Sequence, residues 1–359
     1  MGHGFAGFCT SWQAVASLNT ADMIHQNIKS PFTGGRVHLI RRWTRAQFRR
    51  ESFEICAHAY LCADTGREFS TKETDAFNLQ QLYNQYRAKH QIPFPAEIKA
   101  IREQYGLSSA KIAEVLDFGT NSYRQYEQGE IPSLANAKLI RLARDPQHFR
   151  SFVAEKKACF TPKAYEKLQK RIQELTQNNN LLPLVEYIWN HHTQPNEYTG
   201  YVKPSLEKVA HYIIFFATEN KPLKTRMNKL LFYGDFLNFK RTGYSISGCN
   251  YRAIQMGPVP SHFRELFGLL ESQGYIRIED EIFEHGGVGE RFYPAVPFDP
   301  SLFSPEELQS MKDTVTAFAD TRTKQIIALS HEESAWKANQ EQREIISYLA
   351  HAFELKALE

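Results

Sequence analysis

Four polar side chains stand out for their type and spacing: Asn121, Arg124, Gln125 and Gln128. Asn121 and Gln125 lie four apart, so on a helix they share a face. An Asn or Gln amide at that spacing can make paired hydrogen bonds to the edge of adenine in a DNA major groove. Arg124 lies off that line and suits guanine or phosphate, and Ser122 belongs to the same exposed side. Ser108, Ser109 and Lys111, at the start of the preceding helix, are placed for backbone phosphates, helped by the positive end of the helix dipole.

The surrounding residues supply the elements such a reader needs. Gly106 and Gly129 suit left-handed positions just past helix ends, and Ser108 and Thr120 sit where N-caps are wanted. Ile112, Ala113, Val115 and Leu116 give the first helix an apolar face, and Tyr123 and Tyr126 give the second its own. Two short helices joined by a tight turn, the second with an amide-bearing outer face, follow the grammar of a helix-turn-helix. Helices over Ala96–Tyr105, Ser109–Asp117, Asn121–Gln128 and Leu134–Arg144, with a further one opened by Asp145-Pro146, make a five-helix domain.

Other groups with chemical potential are weaker. The turns Ser30-Pro-Phe-Thr-Gly-Gly35 and Cys62-Ala-Asp-Thr-Gly66 have the form of two zinc knuckles with ligands replaced. Ser30, Thr33 and Thr65 stand where thiolates belong, and one thiol cannot close a tetrahedral zinc site. A zinc-ribbon-like sheet without its metal is expected, with strands through Val37–Ile40 and Phe53–Tyr60. His191-His192 points in two directions and reads as a solvated loop. His331-Glu332-Glu333 lacks the second histidine of a zincin, and Gly286-Gly287-Val288-Gly289 opens no helix and makes a poor nucleotide loop. Asp235 and His331 could meet in a cleft, or simply pin two helices. No metal, cofactor or catalytic residue is assigned, and the chain is not read as an enzyme.

Bulk properties agree with a multi-domain protein. The 359 residues are 42% hydrophobic and 23% charged, ordinary for a chain with ample core. The longest apolar run, Tyr212 to Ala217, is too short to cross a bilayer. Residues 1–27 lack the pattern of an export signal and read as an extension without clear order. Five cysteines without a C-x-x-C pair point to a reduced, cytoplasmic protein. The net charge of +3 hides an asymmetry: residues 1–270 carry 35 Lys and Arg against 23 Asp and Glu, and residues 271–359 carry 8 against 17. One end suits phosphate, and the other suits a cationic partner.

The expected architecture is mainly α with small β elements. The ribbon-like sheet with its connecting helix occupies 28–92, the helix-turn-helix 93–160, a helical linker 161–204, and an α+β domain 205–359. In the last, helices are read over Leu206–Thr218, Thr225–Arg241 and His262–Gln273. A hairpin follows, and a capping box at Ser304-Pro-Glu-Glu307 opens a final helical set. Met227, Leu230, Leu231 and Leu237 are expected to form one buried face. Gly257-Pro-Val-Pro260 is rigid and donor-poor, a fixed binding edge. Tyr233, Asp235, Tyr251, Met256, Pro258, Pro260 and Phe263 around it are the candidate partner contacts.

Two resemblances organise these readings. The segment Ile28 to about Asp145, with Ile98-Lys-Ala-Ile-Arg, Gly106-Leu-Ser and Phe118-Gly-x-Asn-x-x-x-x-Tyr126-Glu-x-Gly129, resembles the Xre/Cro-type DNA-binding antitoxins of the MqsA kind. The resemblance implies that Asn121 reads bases, that Gln125 replaces a base-reading arginine, and that the protein dimerises on operator DNA. The motifs Lys229-Leu-Leu-Phe-Tyr-Gly-Asp235, Gly243-Tyr-Ser-Ile-Ser-Gly248, Gly257-Pro-Val-Pro260 and Ser330-His-Glu-Glu-Ser-Ala-Trp336 resemble the Panacea (SocA-like) domain. That implies direct neutralisation of a cognate toxin, or delivery of a client to a cellular protease. Together they imply a type II antitoxin that represses its own operon; the alternative is a transcriptional regulator or proteolytic adaptor whose last domain binds a ligand or a protein client.

Overall fold

The computed structural model describes residues 28–177, 182–189, 194–283 and 286–358. The expectations for residues 1–27 and for His191-His192 lie outside the described residues. The first unit is a long antiparallel hairpin, β1 (Val37–Phe48) and β2 (Glu51–Cys62), with the two-residue β3 (Glu68–Phe69) paired to the end of β2. Register runs without a bulge from Val37 opposite Cys62 to Phe48 opposite Glu51. Helix α1 (Lys72–Lys89) follows, started by a Thr71/Thr74 capping box and carrying Arg87 and Lys89 in its last turn.

Helix α1 buries Leu82 and Tyr86 and, beside them, the polar residues Thr74, Gln81, Asn84 and Arg87, while Leu79 is exposed. The reason is the edge of β2. Beyond its short pairing with β3, that edge would leave backbone groups orphaned. Gln81 donates to the Cys56 carbonyl (2.8 Å) and accepts from its N–H (3.0 Å). Asn78 does the same for His58 (3.0 and 2.8 Å), and Gln85 donates to the Glu54 carbonyl (2.6 Å). Amides three and four apart on a helix thus serve strand residues two apart.

Helices α2 (Pro95–Gln104), α3 (Ser109–Val115), α4 (Ser122–Glu127), α5 (Leu134–Ala143) and α6 (Pro146–Glu155) surround a core of Ile98, Ile101, Ile112, Val115, Tyr123, Ile140 and Phe149. Within 161–204, expected as a helical linker, the described parts pack against both neighbouring domains. Helix α7 (Pro162–Gln177) sinks Leu168 and Ile172 into that same core. Helix α8 (Leu182–Ile188) places Ile188 in the core of the C-terminal domain, together with Trp189. Tyr201 stacks between Phe94 and Phe239.

The C-terminal domain is built around α10 (Lys224–Thr242), in which every residue from Met227 to Lys240 is buried. The expected single face of Met227, Leu230, Leu231 and Leu237 is therefore only part of the burial. Around α10 pack α9 (Leu206–Asn220), the hairpin β4 (Tyr251–Ile254) and β5 (Gly257–Pro260), α11 (Phe263–Ser272), and the hairpin β6 (Ile276–Ile282) and β7 (Val288–Pro294). Next come α12 (Pro305–Ala317), whose Ser304/Glu307 capping box is formed as expected, α13 (Thr323–Glu332), α14 (Ser334–Lys337) and α15 (Tyr348–His351). Among the described residues no helix is long and apolar enough to cross a membrane.

Helix α1 also joins the units. Gln80 donates to the Thr242 carbonyl, Asn84 to the Gly243 carbonyl (3.3 Å), and Tyr244 donates back to Asn84 (2.9 Å). Arg87 donates to the Gly129 carbonyl at the end of α4. Replacing Gln81 by Leu strands the N–H and carbonyl of Cys56 inside an apolar setting. The expected cost is about 2 kcal/mol in urea unfolding, the range for an unsatisfied buried polar group; an unchanged midpoint and slope would show that the edge needs no such partner.

Candidate nucleic-acid interface and C-terminal core

The turn between α3 and α4 is held from within. Tyr123 is fully buried and donates to the Ile98 carbonyl (2.8 Å), and Phe118 stacks on its ring. Asn136 donates to the Tyr126 hydroxyl (2.9 Å), and Arg102 pairs with Glu127 (2.6 Å). Gly106 and Gly129 have positive φ (64° and 106°), as their places after helix ends require. Every inward side of α4 is therefore committed to packing.

The outward side is uncommitted. Asn121, Arg124, Gln125 and Gln128 are exposed, and their side chains have no hydrogen bond or ion pair among the described residues. Ser122 is half-buried beside Gly119. Thr120, expected as the N-cap, is displaced by Asn121, whose own side chain caps nothing and stays free. Ser108 does cap α3, accepting from the Lys111 N–H (3.2 Å). Lys111 is half-buried: its ammonium binds Glu114 (2.6 Å) and the Cys159 carbonyl (2.9 Å) and lies over Phe160. Arg124 is the unpaired charge on this face.

In the C-terminal domain several polar residues of α10 hold the loops and tail around it. Asp235, completely buried, accepts from the N–H groups of Ile246 and Ser247 (2.8 Å each), from the Ser247 hydroxyl and from the Tyr251 hydroxyl (2.7 Å). Lys229 donates to the Pro258 carbonyl (2.8 Å), Asn238 to the Tyr244 carbonyl (2.9 Å), and Lys240 to the Leu355 carbonyl (3.2 Å). Glu333 accepts from the N–H groups of Lys356 and Ala357 and from Tyr233, fastening the C-terminal segment. Glycines sit where helix and loop touch: a Cβ on Gly234 would strike the Tyr212 hydroxyl, and one on Gly257 would strike Lys229 and Ser330.

Comparison with known families follows this division. Residues 98–143 match the model of the helix-turn-helix, and residues 227–337 match that of the antitoxin SocA-like Panacea domain. The chain joins a helix-turn-helix to a Panacea domain. Comparison with curated proteins finds no match. The Panacea match starts at Met227 and ends at Lys337, yet α9 before it and the segment through Leu355 after it share one core with it.

The structure relocates the candidate partner contacts. Tyr233, Asp235 and Tyr251 are fully buried, and Pro258 and Pro260 are also interior. They can meet no partner while the domain is folded; sequence alone could not tell a core aromatic from an interface one. Met256, 48% exposed at the β4–β5 turn, and half-buried Phe263 remain at the surface. Asp235 and His331 do not pair either. His331 stacks on Trp336 (3.9 Å between centroids), whose indole donates to the Ile254 carbonyl (2.8 Å). Most residues of the Panacea motifs are thus buried joints of the scaffold.

The knuckle positions do converge. The Thr33 hydroxyl lies 3.7 Å from the Cys62 sulfur, and hydrogen bonds from Ser30, Thr65 and Thr33 hold that thiol down to about 6. Among the described residues no cluster of His, Cys, Asp and Glu could hold a metal ion. A cleft of about 270 Å³ lies at the seam of the first unit and the Panacea domain, lined by Arg41, His58, Phe77, Lys240 and Arg241 among others.

Burial pushes the Asp235 carboxyl from its ordinary 3.8 up to about 6, although the hydroxyls of Ser247 and Tyr251 and two N–H groups favour the anion. A carboxyl whose pKa is higher folded than unfolded keeps its proton longer in the native state. Its contribution is therefore fully present at low pH and falls as pH rises from about 4 to 6, by roughly 3 kcal/mol. Urea unfolding of the wild type and of Asp235→Asn across that window should show the wild-type advantage shrinking as pH rises. A constant difference would place the Asp235 titration elsewhere.

Proposed function

We propose that this protein is the DNA-binding antitoxin of a type II toxin–antitoxin system, acting in the cytoplasm as a dimer and without catalysis. The observation that carries the reading is the pairing of an unengaged amide-and-arginine face on α4 with a Panacea domain whose motif residues are spent on its own core. On this reading Asn121 and Gln125 read bases, Arg124 contacts guanine or phosphate, and Ser108 and Ser109 approach the backbone. The Panacea domain silences a cognate toxin through its outer surface, where Met256 and Phe263 remain accessible. Residues 28–92 act as a ribbon-like unit in which hydroxyls around Cys62 stand where a metal's ligands would.

The DNA arm is tested by Asn121→Ala in the full chain. The expected loss is about 1–3 kcal/mol of sequence-specific affinity, with non-specific binding kept. Unchanged affinity and preference would remove Asn121 from the readout. The toxin arm is tested by co-expressing the full chain with the product of the adjacent gene. Restored growth that survives Asn121→Ala supports neutralisation independent of DNA binding, and a harmless neighbour that fails to bind the chain refutes it.

A further inference from the structure

The β1–β2 hairpin turns through Arg49 and Arg50 alone, since Phe48 and Glu51 are in register. Both arginines have left-handed backbones, with φ of 47° and 68°. A two-residue hairpin of the type I′ kind has positive φ at both central positions, and Asn-Gly or Asp-Gly meets that need without strain. Two long L-side chains there go against local preference, so the turn is shaped for something other than hairpin stability. Both side chains are exposed. Arg50 has no hydrogen bond or ion pair among the described residues, and Arg45 nearby is 79% exposed with only a 3.4 Å contact to Glu54. The acid beside the turn, Glu51, is already matched by Lys89 and His90 (2.7 and 2.6 Å).

The turn also has a fixed address. Arg49 lies over the rings of Phe48 and Tyr86 and donates to the Ile131 carbonyl (3.3 Å). Ile131 is two residues beyond Gly129, where α4 has ended, and Arg87 holds the Gly129 carbonyl from the same side. Ile131 and Ala137 belong to one apolar cluster with Phe53, Ile55 and Tyr86, so hairpin and helix-turn-helix are packed as one body. An exposed cationic turn is thereby held one side chain away from the loop that follows the base-reading helix. A major groove is only about 12 Å wide, so a charge at that place lies near the phosphates that border it.

We propose that the Arg49-Arg50 turn is a second DNA contact, a wing that grips backbone phosphates flanking the groove entered by α4. The proposal rests on α4 being the base-reading helix. Each phosphate contact contributes affinity through counterion release and carries no sequence information.

The test compares full-length wild type, the double variant R49N/R50G, the double variant R49K/R50K and Asn121→Ala. The probes are a duplex recovered from a randomised library by the wild-type chain and a scrambled duplex of the same length. Asn-Gly suits the turn, so R49N/R50G is expected to melt no lower than wild type. It should bind both duplexes about tenfold more weakly, with a plot of log K against log salt shallower by roughly one to two. R49K/R50K should keep most of the affinity and slope. Wild-type affinity and slope in R49N/R50G, while Asn121→Ala loses preference for the selected duplex, would overturn the wing and leave the α4 reading standing. So would a loss confined to the selected duplex, which would make the turn a base reader. Failure of the wild type to enrich any duplex would overturn the α4 reading, and the wing with it.

Discussion

Asn78, Gln81 and Gln85 line one side of α1 and take the place of a neighbouring strand along the open edge of β2. A bare edge would either recruit another chain or leave N–H and carbonyl groups buried without partners. Side-chain amides solve both problems because each carries one donor group and one acceptor, the same pair a peptide offers. The helix is then fixed in position and in rotation. Its next faces become equally committed, with Gln80 and Asn84 on the Panacea domain and Arg87 on the loop after α4. One helix thus locates the hairpin, the DNA-reading unit and the Panacea domain with respect to one another.

The Panacea domain repeats the device in a different geometry. Helix α10 is buried on all sides; its Asp235 and Asn238 fasten the loop that follows it, Lys229 the β4–β5 hairpin and Lys240 the C-terminal segment. Burial lowers the Lys229 ammonium to about 7 and raises the Asp235 carboxyl to about 6, so these groups make the scaffold specific at a cost in stability. Family resemblance in this domain is carried by the joints. Such motifs identify the scaffold well and say little about which outer surface meets a partner.

Much of the DNA-reading half was legible in the sequence. Ser108 caps α3, Gly106 and Gly129 end their helices, Tyr123 and Tyr126 face inward, and Asn121, Arg124 and Gln125 face outward. Each of these follows from local geometry with a short period. The partners of Lys111, Glu114 and the Cys159 carbonyl, were not legible because one lies 48 residues away. Tyr233, Asp235 and Tyr251 were misjudged because an aromatic or acid on an apolar helix has the same spacing whether it lines a core or an interface. Residues 161–204 looked like a linker because α7 is mostly polar, yet two side chains, Leu168 and Ile172, suffice to seat it.

By itself the sequence determined the helices of the DNA-reading half, their ends to within a residue or two, and which face of α4 is polar. Those properties depend on residues within a turn or two of one another, where capping, periodicity and backbone preference act. Tertiary structure alone decided that α10 is enclosed, that the Panacea motifs point inward, and that the Arg49-Arg50 turn sits beside the loop after α4. Those facts depend on contacts between residues far apart in the chain, of the kind that joins Gln80 to Thr242 across 162 positions. No local pattern records which surface a distant segment will cover.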